Sequence, residues 1–229
     1  DVYAPLAARG VKIHATLGNH DVRTDGGRAQ VAEPAFGYIG GQDEYEFEAS
    51  GVVEGKVLAR FYCLNTVEWL SALEEGQSVE ERKGRLRKWL EGAAGAHWNI
   101  VYLHHPLYSY VKTSWWRGRM GHGGSERLRR ELEPRLAHRV ALVPAGHDHF
   151  YQRMKPQRGV LHIVSGAAGQ LRPGVETQHA NVAVGLERRH FLAVEVGVEQ
   201  LRVEAVDAGG VVLDVVDVKA WQAGNKRTR

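Results

Sequence analysis

The chain has 229 residues, 43% apolar and 25% charged, the proportions of an ordinary globular domain long enough to bury one core. A formal net charge of +3 is too small to argue by itself for nucleic acid, and no apolar run approaches the ~20 residues that cross a bilayer. Cys63 is the only cysteine, which excludes an internal disulfide and leaves the compartment open.

Residues 1–9 read as the end of a helix stopped by Gly10. Residues 11–17 alternate apolar and polar, the period of a strand with one buried face, and this puts His14 on the solvent side. The turn Gly18-Asn19-His20-Asp21 closes that run, and residues 22–41, with little periodicity, predict a long loop. Residues 44–48 alternate strictly, and residues 57–64 read as their partner across a turn at 50–55. The polar, acidic stretch 66–84 predicts a loop with a short helix. Residues 85–94 are an amphipathic helix with Leu86, Trp89, Leu90 and Ala93 inward.

Residues 98–103 predict a buried strand ending in His104-His105-Pro106. Neighbours on a strand face opposite ways, so one of the two histidines is expected at a given site. The next loop carries Tyr108, Tyr110, Trp115 and Trp116, which either wall a cleft or pack the loop down. Arg117, Arg119 and His122 share that loop, whose Gly118, Gly121, Gly123 and Gly124 imply flexibility. Leu128, Leu132 and Leu136 mark the inward face of a helix from about Ser125, with Pro134 disturbing its last turn. Its arginines and glutamates read as a solvated face. The short apolar run 140–143 predicts a buried strand, stopped by Pro144 and Gly146 and followed by His147-Asp148-His149. In extended backbone, histidines two apart point to one side, and imidazole is the commonest metal ligand. Further strands are predicted at 150–154, 160–164, 191–196, 200–206 and 211–218. The Gly-rich loop 165–174 lacks the strand-turn-helix setting of a phosphate loop. Residues 1–220 read as a single domain and 221–229 as a flexible basic tail.

Strand ends thus deliver Asn19, His104, and His147 with His149. Convergence at the C-terminal ends of strands is where α/β sheets place active sites. Asn and His without Cys suit Zn, Fe or Mn better than Ca or Mg.

Three stretches in this order and separation carry a resemblance: Leu17-Gly18-Asn19-His20-Asp21, Leu103-His104-His105-Pro106-Leu107-Tyr108-Ser109, and Ala145-Gly146-His147-Asp148-His149 with Tyr151. With them the sequence resembles the calcineurin-like metallophosphoesterases, and among these the purple acid phosphatase branch. The resemblance implies an α/β fold, an α-β-β-α sandwich of two mixed sheets. It implies hydrolysis of a phosphate ester at a dinuclear centre of two divalent or trivalent metal ions, Fe, Zn or Mn. It further implies that Asn19, His104 and His147 bind one metal and His149 the other. His20 would hydrogen-bond the phosphate and help protonate the leaving oxygen, Asp21 would orient His20, and His122 would contact substrate from its loop. The family's opening Asp-x-His and Gly-Asp motifs, the second of which bridges the metals, have no counterpart in this sequence. On that reading the chain lacks its first strand-helix-strand unit and is inactive without it. The expected partner is a small-molecule phosphate ester, with no membrane and with nucleic acid disfavoured. Two rivals stand beside this: a nucleotide phosphodiesterase or nuclease on the same scaffold, using Arg117, Arg119, Arg127, Arg129 and Arg130, and a non-catalytic binding module.

Overall fold

Residues 4–49, 51–53, 55–92, 96–114 and 118–219 are described by the structure, a computed structural model. One helical turn, α1 (Ala4–Ala7), leads into coil and short 3-10 turns around α2 (Arg28–Ala32). Then come β1 (Tyr45–Glu48), β2 (Val52–Val53), β3 (Lys56–Leu64), α3 (Thr66–Glu74), α4 (Glu80–Glu91) and β4 (Ala96–Leu103). A small hairpin, β5 (Thr113–Ser114) with β6 (Gly118–Arg119), precedes α5 (Glu126–Leu136), β7 (Leu142–Ala145), β8 (Tyr151–Met154), β9 (Leu161–Ser165) and β10 (Val182–Leu186). The described chain closes with β11 (Phe191–Val196), β12 (Gln200–Val206) and β13 (Val212–Lys219).

An eight-stranded sheet runs β1-β3-β4-β7-β9-β8-β10, with β2 on β3. Its middle strands β3, β4, β7 and β9 are parallel, while β1 pairs antiparallel with β3, β8 with β9 and β10 with β8, so the sheet is mixed. Strands β11, β12 and β13 form a separate three-stranded sheet; where a second mixed sheet was expected, this one is wholly antiparallel.

The alternation of β4 explains the layers. Val101 and Leu103 pack on the helical side with Trp69 of α3, Leu86 and Leu90 of α4, and Leu128, Leu132 and Leu136 of α5. Trp98 and Ile100 point the other way and join Leu142, Leu161 and Ile163 to Leu201, Val203 and Ala205 of β12. A sheet whose central strands are buried on both faces reads as continuous apolar runs. Two polar ties fix the small sheet. Tyr151 Oη and Arg153 Nε each donate to Asp214 Oδ2 at 2.6 Å, and Trp98 Nε1 donates to Gly197 O at 2.5 Å.

The helices follow their caps. Asn65 Oδ1 accepts from Val67 N and Glu68 N and starts α3, which occupies much of the predicted loop at 66–84. Helix α4 starts at Glu80, before the predicted Arg85, and the predicted end at 93–94 lies outside the described residues. Ser125 Oγ accepts from Leu128 N and starts α5. Pro134 sits in its last turn, and the helix runs on to Leu136. Trp115, Trp116, Arg117 and the basic tail also lie outside the described residues. Strand β10 and the β5–β6 hairpin carried no sequence signal strong enough to be read.

Residues 11–17 correct the sequence reading: they form no strand. The segment is held through the backbone of Ala15 and the side chain of Thr16. Ala15 N donates to Phe36 O at 3.0 Å, and Ala15 O accepts from Tyr45 Oη at 2.5 Å and from Cys63 Sγ at 3.4 Å. Thr16 Oγ1 donates to Leu64 O at 3.2 Å. His14, expected in solvent, stacks half-buried on Phe47 with ring centroids 3.8 Å apart.

Candidate metal centre

The registers Leu64↔Leu103, Leu103↔Ala145 and Ala145↔Val164 bring the ends of β3, β4, β7 and β9 level. Thr66, His104 with His105, Gly146 to His149, and Gly166 therefore lie side by side along one sheet edge. The turn at 18–21 joins them from outside the sheet. Asp21 N donates to Gly18 O at 3.0 Å and Gly18 N to Asp21 Oδ2 at 2.8 Å, which presents Asn19 to the strand ends. Gly18 has no alternative here, since a Cβ would lie 2.8 Å from the His104 ring.

At the centre, His104 Nε2 stands 2.9 Å from Asn19 Oδ1 and 3.1 Å from His147 Nδ1. Ligand atoms on one tetrahedral ion, each ~2.0–2.1 Å from it, sit roughly 3.3 Å from one another, so this donor set fits an ion. Burial lowers the pKa of His104 and of His147 to about 4 and that of His105 to about 3, which keeps these rings in the neutral form that ligates. His149 is also lowered, by burial first and by Arg172 next. Its Nδ1 is buried with no hydrogen-bond partner, which leaves it open to a ligand. His147 adopts φ 69°, a left-handed conformation uncommon outside glycine and one that clusters at functional sites.

Alternation predicted one of His104 and His105 at the site, yet both rings approach His147, at centroid distances of 5.0 and 4.4 Å. Strand β4 ends at Leu103, so strand alternation does not extend through the pair. Possible ligand atoms of His104, His105 and His147 lie within 4.8 Å of one another. One nitrogen of His105 is already engaged, with Nδ1 3.0 Å from Thr66 Oγ1, which also accepts from His105 N at 2.9 Å.

A cleft of about 230 Å³ opens beside the cluster, lined by Met120, His122, His147, Asp148, His149 and Arg172 among others. His122 lies over His147, ring centroids 4.1 Å apart. The loop carrying it is tied down. His122 N donates to Asp148 Oδ1 at 2.7 Å, Gly123 N to Asp148 Oδ2 at 2.8 Å, and Gly124 N to Ser109 O at 2.9 Å. Its glycines permit close approach: a Cβ at Gly121 would meet Val111 Cγ1 at 2.7 Å, and one at Gly124 would meet Leu107 O at 2.7 Å.

His20 is exposed, and Arg23 Nη2 lies 3.3 Å from its Nε2. Asp21, expected to orient His20, accepts from Gly18 N through Oδ2 at 2.8 Å and closes the turn that carries His20. Thr66, His105, Ser109, Asp148 and Arg172 were not read as site residues. Asp148 was placed between two histidines and Ser109 ended the second matched stretch, so position alone could have raised both. Arg172 had no pattern around it.

A family model described as Calcineurin-like phosphoesterase matches residues 1–151, well over half of the chain. Tartrate-resistant acid phosphatase type 5 of Rattus norvegicus is 25% identical over 234 residues, covering 92% of this chain and 67% of that protein. Among solved structures, the fold is similar to GAP50, the anchor in the inner membrane complex of Plasmodium, with TM-score 0.64, 20% identity, and coverage of 79% of this chain and 55% of that one. It is also similar to a purple acid phosphatase from yellow lupin (Lupinus luteus) seeds, with TM-score 0.65, 17% identity, and coverage of 91% and 39%. The chain spans about two thirds of the curated relative and 39 to 55% of these two structures. A mixed sheet with ligand-bearing strand ends and a family match over residues 1–151 lead to one conclusion: the chain belongs to the calcineurin-like phosphoesterase family.

Proposed function

We propose that this chain hydrolyses small-molecule phosphate esters at a metal centre built on its parallel strand ends. The observation that carries the reading is the convergence of Asn19 Oδ1 and His147 Nδ1 on His104 Nε2, at 2.9 and 3.1 Å, beside an open cleft. Asn19, His104 and His147 would hold one ion, of Fe, Zn or Mn. His149, with its unpartnered Nδ1, would serve a second. Among the described residues the ligand cluster holds three histidines and no carboxylate, so a dinuclear centre needs a bridging group from elsewhere. An ion held there would supply Lewis acidity and make water acidic enough to act as a nucleophile near neutral pH.

The chain's own side chains supply the rest. His122 and Arg172 border the cleft and can donate to phosphoryl oxygens. As the ester P–O bond breaks, the leaving oxygen needs a proton. His20 would give it from Nδ1, since a guanidinium only donates and Arg23 faces Nε2.

The nuclease alternative finds little support in α5. Arg130 pairs with Glu126 at 2.6 Å, Arg127 faces Glu74 at 3.8 Å, and Arg129 lies 5.1 Å over the Tyr108 ring. These arginines serve the outer helical face, away from the cleft lining.

The test is hydrolysis of a generic aryl phosphate, measured with metal content before and after chelation. The reading expects turnover that disappears with the metal and returns on adding it back. Turnover that survives complete metal removal would contradict it.

A further inference from the structure

We infer that Asp148 is a positioning residue, whose carboxylate holds His122 over the cleft and so sets how phosphate is gripped. The inference rests on the proposed phosphoesterase reading for its kinetic consequence, but its structural part stands alone. Asp148 is 2% exposed. Its carboxylate accepts three hydrogen bonds: Ser109 Oγ at 2.5 Å, His122 N at 2.7 Å and Gly123 N at 2.8 Å. A buried carboxylate is costly unless such donors compensate it, and here two of the three are the backbone N–H groups of His122 and Gly123, in the loop that lines one side of the cleft.

The other end of Asp148 is anchored just as closely. Its N–H donates to Gly146 O at 2.9 Å, its carbonyl accepts from Phe150 N at 2.9 Å, and a Cβ at Gly166 would come within 2.3 Å of that carbonyl. The residue before it, His147, is the one at φ 69°. Asp148 therefore couples two things at once. Its backbone belongs to the turn that presents His147 and His149, and its side chain grips the backbone on which His122 rides. The His122 ring ends up with its centroid 4.1 Å from that of His147. A glycine-rich loop is thereby converted into a fixed wall.

The geometry makes the carboxylate hard to replace. Oδ1 serves His122 N, while Oδ2 serves Gly123 N and Ser109 Oγ. An amide offers one acceptor oxygen, so asparagine must turn an NH₂ group toward at least one of these donors. Losing a hydrogen bond to a buried charge corresponds to about tenfold or more in an equilibrium it controls.

The experiment is a double-mutant cycle of Asp148→Asn and His122→Ala on the full chain, read as KM and kcat for an aryl phosphate, affinity for inorganic phosphate, metal content, and hydrogen exchange of the 118–124 segment. Asp148→Asn should raise KM and the phosphate dissociation constant about tenfold, change kcat less, and keep wild-type metal content. In the His122→Ala background it should change both by less than about twofold. Amides at His122 and Gly123 should exchange faster in Asp148→Asn. Equal effects in both backgrounds, unchanged exchange, or loss of metal would overturn the inference. If the unmodified chain shows no turnover, the phosphoesterase reading fails by that result, and phosphate binding with hydrogen exchange still decides the role of Asp148.

Discussion

Two regions of this molecule look alike in sequence and behave differently in structure. Residues 11–21 and 140–149 are each a short apolar-rich run, then a glycine, then an Asn or His aimed at the same point. The second run contains β7, which pairs in parallel with β4 and β9 and is buried on both faces. The first forms no ladder, is held by a handful of bonds to Phe36, Tyr45, Cys63 and Leu64, and leaves Val11 exposed. Both bring a proposed ligand to that point, but only one does so from a rigid platform. The proposed metal centre would then join a fixed half, His104 and His147, to a more weakly supported half, Asn19.

The largest effect should come from the fixed half. His147→Ala or His104→Ala should abolish metal retention through gel filtration and, with it, aryl phosphate turnover, while Asn19→Ala should weaken metal binding without abolishing it. Equal losses from all three would erase the distinction between the halves. His20→Ala, on the weaker half, should lower kcat by about 10²-fold and leave metal content unchanged, the signature of a proton donor. Loss of metal in that variant would make His20 a ligand instead.

Packing sharpens the contrast. Leu142→Ala, on buried β7, should cost about 2–5 kcal/mol in urea unfolding. Ile13→Ala, half-buried and off the sheet, should cost about 1 kcal/mol or less. Comparable costs would mean that residues 11–17 are integral to the core.

A further expected effect lies in the pH dependence. His162 on β9 has its pKa lowered to about 3 by burial, below the ordinary value of about 6.5 for an unfolded histidine. Between those values the unfolded chain takes up a proton that the folded chain refuses. The stability this group contributes is therefore complete above about pH 6.5 and is lost progressively as pH falls toward 3. His14, also lowered by burial but half-buried, should contribute less over the same limb. His162→Leu should flatten the acid limb of stability against pH, and His14→Leu should barely alter it.

The difference between the halves also explains what could be read in advance. The strands at 98–103 and 140–143 were legible because both faces of a central parallel strand are apolar, which shows as an apolar run broken only by Asn99, and 57–64 was legible as the partner of 44–48 across a turn. Residues 11–17 had the right period, but period records which side chains face inward and says nothing of whether a neighbour is present to pair. The candidate ligands His104, His147 and His149 could be named because His-His-Pro and Gly-His-Asp-His stand just beyond two of those runs. The supports were not: Thr66 on His105 and Asp148 on the 121–124 loop act across 39 and 25 to 26 residues of chain, a separation that no local pattern reports. Glycines misled in a consistent way. Gly121 and Gly124 suggested mobility, whereas their contacts show that a side chain would not fit.

The most direct test of a shared centre is a crystal structure of the chain with Mn or Zn, located by anomalous scattering. The account predicts a peak within coordination distance of His104 Nε2, His147 Nδ1 and Asn19 Oδ1 together. An ion bound through His105 with Asn19 turned away, or no ion at the strand ends, would contradict it.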